Sequence, residues 1–548
     1  MSVNRRAFLR LAAWSGMAGV PTAIQARAPG PAAASRPNPR PRGVRPFALD
    51  EATFADLQAR LRSGRLSAVS LARKYLAHIA EIDRRGPALR SVIELNPDAL
   101  ALASALDRER KVEGPRGPLH GLPVLLMDNI ATRDRMSTTA GSLALAGSIA
   151  PRDAFLVGRL RAAGAVLLGK TNLSEWANFR GERSTSGWSA RGGQTRNPYA
   201  LDRDPSGSSS GSAVAVAANL CAAAVGTETD GSILSPAAMN GIVGLKPTVG
   251  LVSRSGIIPI SHSQDTAGPM ARTVADAATL LGALTGVDSR DPATAASAGR
   301  AHPDYARFLD PDGLRGARLG IVRETFGGHP QVKPLMESLL TVLHDRGAVL
   351  VDPVELPPRS KYGAAEIEVF LYELKAGVNA YLADLGPDAP VRSLREVIEF
   401  NERHRDQEMP WFGQEYFLRA EAKGPLTDAA YLEALATCRR VTRDEGIDAV
   451  MDRHQLDALV ASGGGPAAAL DYAYGGRGTG GGGTSIAAVA GYPSLTVPAG
   501  FILGLPVAVC FFGRAWSEPT LLRVAHAYEQ ATQARRPPRF PPTIAAAA

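Results

Sequence analysis

The sequence has few cysteines and no long apolar run. Cys221, Cys438 and Cys510 lie far apart, so they form no disulfide framework, and we expect buried free thiols. CxxC and HExxH patterns are missing and the nine histidines show no ligand spacing, so the sequence predicts neither a metal site nor a cofactor. No stretch reaches the ~18 to 20 uninterrupted apolar residues of a membrane-spanning helix. These features exclude a metalloenzyme of a known pattern and a polytopic membrane protein.

Acidic residues are absent from the first 45 residues, which carry eight arginines. The formal net charge of the whole chain is +8, so the rest of the chain is neutral. A neutral body offers no electrostatic footprint for nucleic acid. The basic character therefore belongs to the N-terminal arm, and the sequence predicts no nucleic-acid partner.

The arm has the order of an export signal. The segment 4–10 reads Asn-Arg-Arg-Ala-Phe-Leu-Arg, a modest apolar region follows, and Ala26-Arg27-Ala28 has the small residues of a cleavage site. It resembles a bacterial twin-arginine signal over residues 1–28, which predicts a periplasmic or secreted protein with no membrane attachment after cleavage. Residues 29–45, rich in proline, alanine and arginine, predict an extended linker. The alternative is an ordinary basic N-terminus.

Helical and strand patterns alternate from Pro46 onward. The predicted helices are 54–82, 154–163, 332–346 and 521–532, and the predicted strands are 122–126, 165–168, 348–351, 456–461 and 494–497. This alternation is typical of an α/β protein with helices on both faces of a large sheet. No change of composition divides residues 46–548, so we expect one domain.

Two serine loops flank a run of small apolar residues. Residues 207–212 read Gly-Ser-Ser-Ser-Gly-Ser and lead into 213–224, whose composition predicts a buried helix. A short strand pattern then breaks at Gly231, directly before Ser232. A serine behind a glycine, in a loop of free backbone N–H groups, has both a nucleophile and an oxyanion hole.

An alternative places the nucleophile in the first loop. Residues 207–211 also fit the G-x-S-x-G elbow, with Ser209 as nucleophile and a downstream histidine such as His262. That elbow must follow a buried strand. Because residues 196–206 are polar and contain two prolines, the context disfavours this interpretation.

Several blocks in a fixed order resemble the amidase signature family, serine amidohydrolases with a Ser, cis-Ser, Lys triad. The blocks are Gly-Leu-Pro-Val at 121–124, Gly-Lys-Thr-Asn-Leu-Ser-Glu at 169–175, the two serine loops, and Gly-Leu-Lys-Pro-Thr at 244–248. The segment 188–198 and the Thr-Asp-Gly-Ser of 229–232 further resemble the bacterial peptide amidases, which remove the C-terminal amide of peptides. The resemblance covers the whole body. It implies the amidase signature fold, a single α/β catalytic domain on a large mixed β-sheet covered by helices on both faces.

The resemblance also implies residue roles. Ser232 is the nucleophile, and Ser208, preceded by a cis peptide bond, is the serine that bridges it to the base. Ser209 lines the same pocket. Four consecutive backbone N–H groups are implied as the oxyanion hole, those of Thr229, Asp230, Gly231 and Ser232.

The base position departs from the family pattern. The family block reads Gly-x-Pro-x-x-x-Lys-Asp, whereas this sequence has Met127 before Asp128. A buried lysine can act as a base because desolvation lowers its pKa, but a thioether cannot carry a proton at neutral pH. Taken alone, Met127 would be interpreted as a core residue of a strand. Within the family pattern, it indicates that the base has been lost.

We therefore expect an amidohydrolase that acts through a serine acyl-enzyme on C-terminal peptide amides, and we expect this chain to be nearly inactive because of Met127. Its partners would be small-molecule or peptide amides. Two alternatives stay open: an aryl- or acylamidase of the same family, and a binding protein that has kept the cleft and lost the base. The export signal argues against the amidotransferase component of the family, which works with cytoplasmic tRNA partners.

Overall fold

The computed structural model describes residues 45–476 and 484–544 of the 548-residue chain. The predicted export signal (1–28) and, except for Arg45, the predicted linker (29–45) lie outside the described residues. Within the described ranges, no helix is both long enough and apolar enough to span a bilayer.

The strands in chain order are β1 Val92–Leu95, β2 Pro123–Met127, β3 Val166–Thr171, β4 Trp188–Ser189, β5 Gly193–Gln194, β6 Ala223–Glu228, β7 Val243–Lys246, β8 Thr266–Ala271, β9 Arg318–Ile321, β10 Val349–Val351, β11 Ala458–Gly464, β12 Ser494–Ile502 and β13 Leu505–Phe512. The α-helices are α1 Phe54–Arg62, α2 Ala68–His78, α3 Ala99–Val112, α4 Phe155–Ala162, α5 Ser210–Ala217, α6 Leu234–Met239, α7 Val274–Leu284, α8 Val332–Asp345, α9 Gly363–Asp384, α10 Leu394–Arg403, α11 Arg405–Glu408, α12 Glu415–Glu421, α13 Ala429–Arg439, α14 Asp448–His454, α15 Thr484–Ala490 and α16 Glu518–Thr532.

Eleven strands form one mixed sheet in the order β1-β3-β2-β6-β8-β7-β12-β13-β11-β9-β10. The pairs β3–β2, β2–β6, β11–β9 and β9–β10 are parallel, and the others are antiparallel. Every residue of β2, β3, β6 and β13 is buried, as expected for strands covered on both faces. The predicted α/β architecture on a large mixed sheet is confirmed.

The parallel pair β2–β6 positions the two halves of the candidate site. Val124 of β2 pairs with Ala223 of β6, and Leu126 pairs with Val225. Both strands therefore end at the same edge of the sheet, where β2 presents Met127 and β6 continues into the loop that carries Ser232. The carboxyl ends of parallel strands are the usual location of binding sites in α/β proteins.

Helix α5 packs unusually close to its neighbours. All eight of its residues are buried. A Cβ atom at Gly211 would lie 2.3 Å from the carbonyl oxygen of Ser91 and 2.4 Å from that of Asn172, so only glycine fits there. The small residues that suggested a buried helix are therefore required by this close approach.

Two predicted helices are wrong in extent. The predicted helix 54–82 is two α-helices, because Ser67 forms a capping box with Ser70 and starts α2 anew. The predicted helix 213–224 ends at Ala217, since Asn219 adopts a left-handed conformation (φ 58°) that reverses the chain before β6.

The glycine-rich segment 463–483 is only partly described. Residues 463 and 464 end β11, and residues 477–483 lie outside the described part. The three cysteines are buried free thiols, as predicted.

Candidate active site

Met127 lies at the carboxyl end of β2 and is fully buried. Its Sδ is 3.2 Å from Oγ of Ser209 and 3.4 Å from Oγ1 of Thr227. The Ser209 hydroxyl already donates to the Thr227 carbonyl oxygen (3.0 Å) and accepts from the Thr227 N–H (3.1 Å). The sulfur therefore contacts two hydroxyl groups without taking a proton from either.

Ser208 lies in the loop before α5 and is also fully buried. The peptide bond between Gly207 and Ser208 is cis, as the resemblance implies. The Ser208 carbonyl oxygen accepts from the N–H groups of Ser174 (3.1 Å) and Ser210 (2.8 Å). Its hydroxyl oxygen, in contrast, has no hydrogen-bond partner among the described residues. A buried hydroxyl without a partner is rare and asks for an explanation.

Ser232 follows Gly231, which has a left-handed conformation (φ 79°). The serine is 8% exposed, whereas Ser208 and Ser209 are fully buried. Its carbonyl oxygen accepts from the N–H of Ser209 at 3.1 Å. This bond joins the two serine loops, so the predicted nucleophile and the predicted bridging serine occupy adjacent segments.

The nucleophile loop is held by a buried carboxylate that sequence analysis missed. Glu228, the last residue of β6, accepts hydrogen bonds from the N–H groups of Gly231 (2.9 Å), Ile233 (2.8 Å) and Leu234 (3.0 Å). Burial raises the pKa of Glu228, while the charge of Lys246 and these N–H bonds lower it. Three such bonds fix the path of the backbone around Ser232.

The four predicted oxyanion donors are therefore not equivalent. The Gly231 N–H is bonded to Glu228, whereas the N–H groups of Thr229, Asp230 and Ser232 have no acceptor within the described part of the chain. The Thr229 hydroxyl donates to Asp265 at 2.6 Å, which fixes that end of the loop. Three free N–H groups around a serine are a donor set suited to an oxyanion.

Asp230 is held from the opposite side. Its carboxylate accepts from Nη1 of Arg359 at 3.0 Å and from the Ser485 hydroxyl at 2.9 Å. Arg359 also pairs with the buried Glu366 at 2.8 Å. The loop that carries the free N–H groups is therefore braced at both ends, as preorganised stabilisation of charge requires.

Two lysines of the main sheet are fully buried. Lys170 Nζ donates to the Ile130 carbonyl oxygen (2.6 Å) and to Thr138 (3.0 Å). Lys246 Nζ donates to the carbonyl oxygens of Tyr492 (2.8 Å) and Pro247 (3.2 Å). Burial lowers the pKa of both lysines to about 8, but neither ammonium group is bonded to a catalytic serine.

Two cavities open on either side of the nucleophile loop. The larger, about 530 Å³, has Asn129, Thr227 and Thr229 at its inner end and an apolar wall at 257–260. The smaller, about 290 Å³, is lined by Gly207 and Gly231, each the residue immediately before a predicted catalytic serine, and by polar side chains. Ser209 is fully buried, and its hydroxyl donates to the carbonyl oxygen of Thr227, which lines the larger cavity.

Comparisons with known proteins agree with this geometry. The family model described as Amidase matches residues 71–522. A probable amidase from Arabidopsis thaliana is 44% identical over 503 residues, which cover 90% of this chain and 92% of that protein. The chain belongs to the amidase family. This amidase is a hydrolase that acts on amide C–N bonds.

Two solved structures are similar to this amidase over most of its length. The native peptide amidase of Stenotrophomonas maltophilia superposes with a TM-score of 0.87 at 57% identity, covering 90% of this chain and all of that one. An amidase family protein from Bacillus anthracis superposes with a TM-score of 0.81 at 38% identity, covering 89% of this chain and 92% of that one. The match extends over nearly the whole described body.

Several residues of the amidase site carried no decisive signal in the sequence. Glu228 could have been found as a carboxylate between an apolar strand and a loop of free N–H groups. Asp204 and Asn178, which line the smaller cavity, have no motif around them. The alternative based on Ser209 gains no support, because His262 is half-exposed and lies 3.3 Å from Glu373.

Proposed function

We propose that this amidase binds peptides that end in a primary amide, with Ser232 as the nucleophile and Ser208 as the proton relay. The observation that carries the proposal is the pair of joined serine loops, with free N–H groups at Thr229, Asp230 and Ser232. The high identity to a peptide amidase structure supports the choice of substrate. Both cavities adjoin these loops and give a peptide room on either side of the scissile bond.

The proposed reaction uses these groups in turn. Ser232 Oγ adds to the carboxamide carbon, and its proton passes through the Ser208 hydroxyl towards residue 127. The carbonyl oxygen becomes negatively charged and accepts hydrogen bonds from the free N–H groups of the loop. The C–N bond then breaks, the nitrogen takes a proton through Ser208 and leaves as ammonia, and water hydrolyses the ester.

Residue 127 is the weak point of this sequence of steps. A lysine there would bond to the Ser208 hydroxyl, remove its proton and return it. Met127 can do neither, and the Ser208 hydroxyl is left buried without a partner among the described residues. We therefore expect substrate binding to be intact and turnover to be nearly lost.

Met127 also favours a second function, a binding protein that holds peptide amides without cleaving them. The two functions differ in what the restored base does. If the chain serves only to bind, the Met127→Lys variant should gain no turnover, because the rest of the machinery would have decayed as well.

An aryl- or acylamidase is a weaker fit. Polar residues dominate the smaller cavity beside the serines, among them Asp204, Ser206, Asp230 and Ser235. A wall of this kind suits hydrogen-bonding peptide groups better than an aromatic ring or an alkyl chain.

The experiment compares two amides of one peptide in the Met127→Lys variant: an N-acetyl dipeptide primary amide and its anilide. Ammonia release from the primary amide should exceed aniline release. A faster anilide reaction would overturn the assignment to peptide amides. Isothermal titration of the chain as it stands with the primary amide measures binding without turnover.

We further propose that residues 1–28 direct export to the periplasm or beyond through the twin-arginine route and that 29–45 form a linker before a domain over 46–548. The support is the order of basic, apolar and small-residue segments in the sequence. After cleavage, the neutral body would have neither a membrane nor a nucleic-acid partner.

A further inference from the structure

The smaller cavity has the composition of a side-chain subsite. Its volume of about 290 Å³ exceeds what a departing ammonia needs. Gly207 and Gly231 place it next to both catalytic serines. On another part of its wall, Met239, Ala467 and Ala468 form an apolar patch. A ligand that fits must combine an apolar stem with a polar tip.

The polar part of the wall contains a carboxylate without a cation. Asp204 is 8% exposed and accepts one hydrogen bond, from the Ser206 N–H at 2.6 Å. No lysine, arginine or histidine within the described ranges pairs with it, whereas Asp230 in the same wall is paired with Arg359. Burial raises the pKa of Asp204 to about 6, so the group is still mainly ionised at neutral pH. A buried, unpaired anion favours a cationic ligand.

A second acceptor lies in the same wall. Oδ1 of Asn178 is buried and has no donor among the described residues. Asn178 ends three consecutive non-glycine residues in the left-handed region, with φ 50° at Trp176, 53° at Ala177 and 71° at Asn178. Such a conformation is costly and marks a segment whose position matters. It separates the cavities, because Ala177 lines the larger and Asn178 the smaller.

We propose that the smaller cavity binds the basic side chain of the residue that carries the scissile amide, with Asp204 as its counter-ion and Asn178 as a second acceptor. The aliphatic stem packs on Met239, Ala467 and Ala468, and the rest of the peptide extends into the larger cavity. The inference rests on the proposed function and adds a substrate class to it, peptide amides ending in arginine or lysine. A cation that gains a carboxylate without a counter-ion and an amide oxygen without a donor is bound more tightly than a neutral group of the same shape.

The test uses two probes of one shape, N-acetylglycyl-arginine amide and N-acetylglycyl-citrulline amide, which differ in charge. Titration calorimetry on the chain as it stands should give at least tenfold tighter binding of the arginine probe. In the Met127→Lys variant, kcat/KM should favour the arginine probe by at least the same factor. Equal values for the two probes would overturn the inference, and this comparison needs no variant of the cavity.

Asp204→Asn then tests the residue. Asparagine keeps an acceptor for the Ser206 N–H, so the loop should fold, and the preference for arginine should fall to within twofold of unity. Asp202→Asn is the matched control, because Asp202 is exposed in the same segment and bonds to Thr543. A preference that survives Asp204→Asn would assign the cation to another group and overturn the proposal.

The outcomes separate this inference from the proposed function. The arginine probe could bind through Asp204 and yet not be hydrolysed by the Met127→Lys variant. This result would contradict the amidase proposal and support the subsite. Hydrolysis of both probes at equal rates would keep the amidase and remove the subsite. Failure of both probes to bind would overturn the subsite as well.

Discussion

The Met127→Lys substitution tests the proposed chemistry at a single position. Met127 is fully buried at the end of β2, and a lysine there places its ammonium group one bond beyond the terminal methyl of methionine. The surroundings offer the hydroxyl groups of Ser209 and Thr227, and we expect the Ser208 hydroxyl, which has no partner among the described residues, to lie within reach of the new ammonium group. The new side chain therefore enters a polar pocket that already contains hydrogen-bonding groups.

The expected gain follows from the loss of proton transfer alone. In serine hydrolases, removal of the base lowers turnover by on the order of 10⁴ to 10⁶, or about 5 to 8 kcal/mol of barrier. The Met127 sulfur contacts Ser209 and Thr227, of which Thr227 also lines the larger cavity, and no hydrogen bond among the described residues joins it to the loop N–H groups proposed to hold the amide. The substitution should therefore raise kcat by this factor and change the Kd of a peptide amide by less than about threefold.

The pH profile of the variant gives an independent readout. Lys170 and Lys246 show that burial in this sheet lowers a lysine pKa to about 8, even with carboxylates nearby that raise it. The introduced lysine would be buried in the same sheet, with Asp128 as its neighbour in the chain, so burial should lower its pKa in the same direction. Because the neutral amine is the base, kcat should rise with pH through this range and level off above it.

The assay measures ammonia release from an N-acetyl dipeptide amide between pH 6 and 10 for four proteins. These are the chain as it stands, Met127→Lys, Met127→Gln as a polar control without a base, and Met127→Lys combined with Ser232→Ala. Only Met127→Lys should turn over well. If the chain as it stands works within tenfold of Met127→Lys, another residue is the base and the reasoning is refuted.

Three further predictions concern the relay, the loop and export. Ser208→Ala should lower kcat of the Met127→Lys variant by at least about 10³. The same substitution should leave the residual rate of the unaltered chain unchanged, because the relay works only with a base. Equal losses of rate in both proteins would contradict the proposed relay. Glu228→Gln should lower kcat by about 10- to 100-fold, with a small change in KM and a lower Tm, because three loop N–H groups lose a charged acceptor. Steady-state kinetics and calorimetry measure these quantities. A change in KM alone would contradict the prediction. Mass spectrometry of the exported protein should find a mature N-terminus at Pro29, after cleavage behind Ala28, and an intact Met1 would exclude processing.

Local patterns predicted much of the architecture. Apolar runs bounded by glycine, such as the strand at 165–168, appear as buried strands because a strand covered on both faces has to be apolar throughout. The predicted ends of two helices were wrong where a single polar residue sets the backbone conformation. Ser67 starts a new helix through its capping hydrogen bonds, and Asn219 ends another through its left-handed backbone conformation; apolar periodicity encodes neither.

The residues of the candidate site also differ in whether the sequence predicts them. Ser208, Ser232 and Met127 were predictable because their motifs are contiguous and a family pattern orders them. Glu228, Asn178 and Asp204 were not, since each acts through long-range placement. The Asn178 side chain, for example, matters because three left-handed residues direct it into a cavity whose other wall lies almost 300 residues further along the chain, at Ala467 and Ala468.

The position of Met127 separates binding from chemistry in one molecule. The loop N–H groups proposed to hold the amide are positioned independently of residue 127, because Glu228 binds the backbone of their loop. The Kd of a true substrate can therefore be measured on the chain as it stands, with no need for an analogue. The value of kcat/KM for Met127→Lys reports the transition state of the same peptide. We compare the Kd and the kcat/KM for the arginine and the citrulline amide. If the two quantities change by the same factor, Asp204 stabilises the ground state and the transition state equally, and it raises kcat/KM without raising kcat.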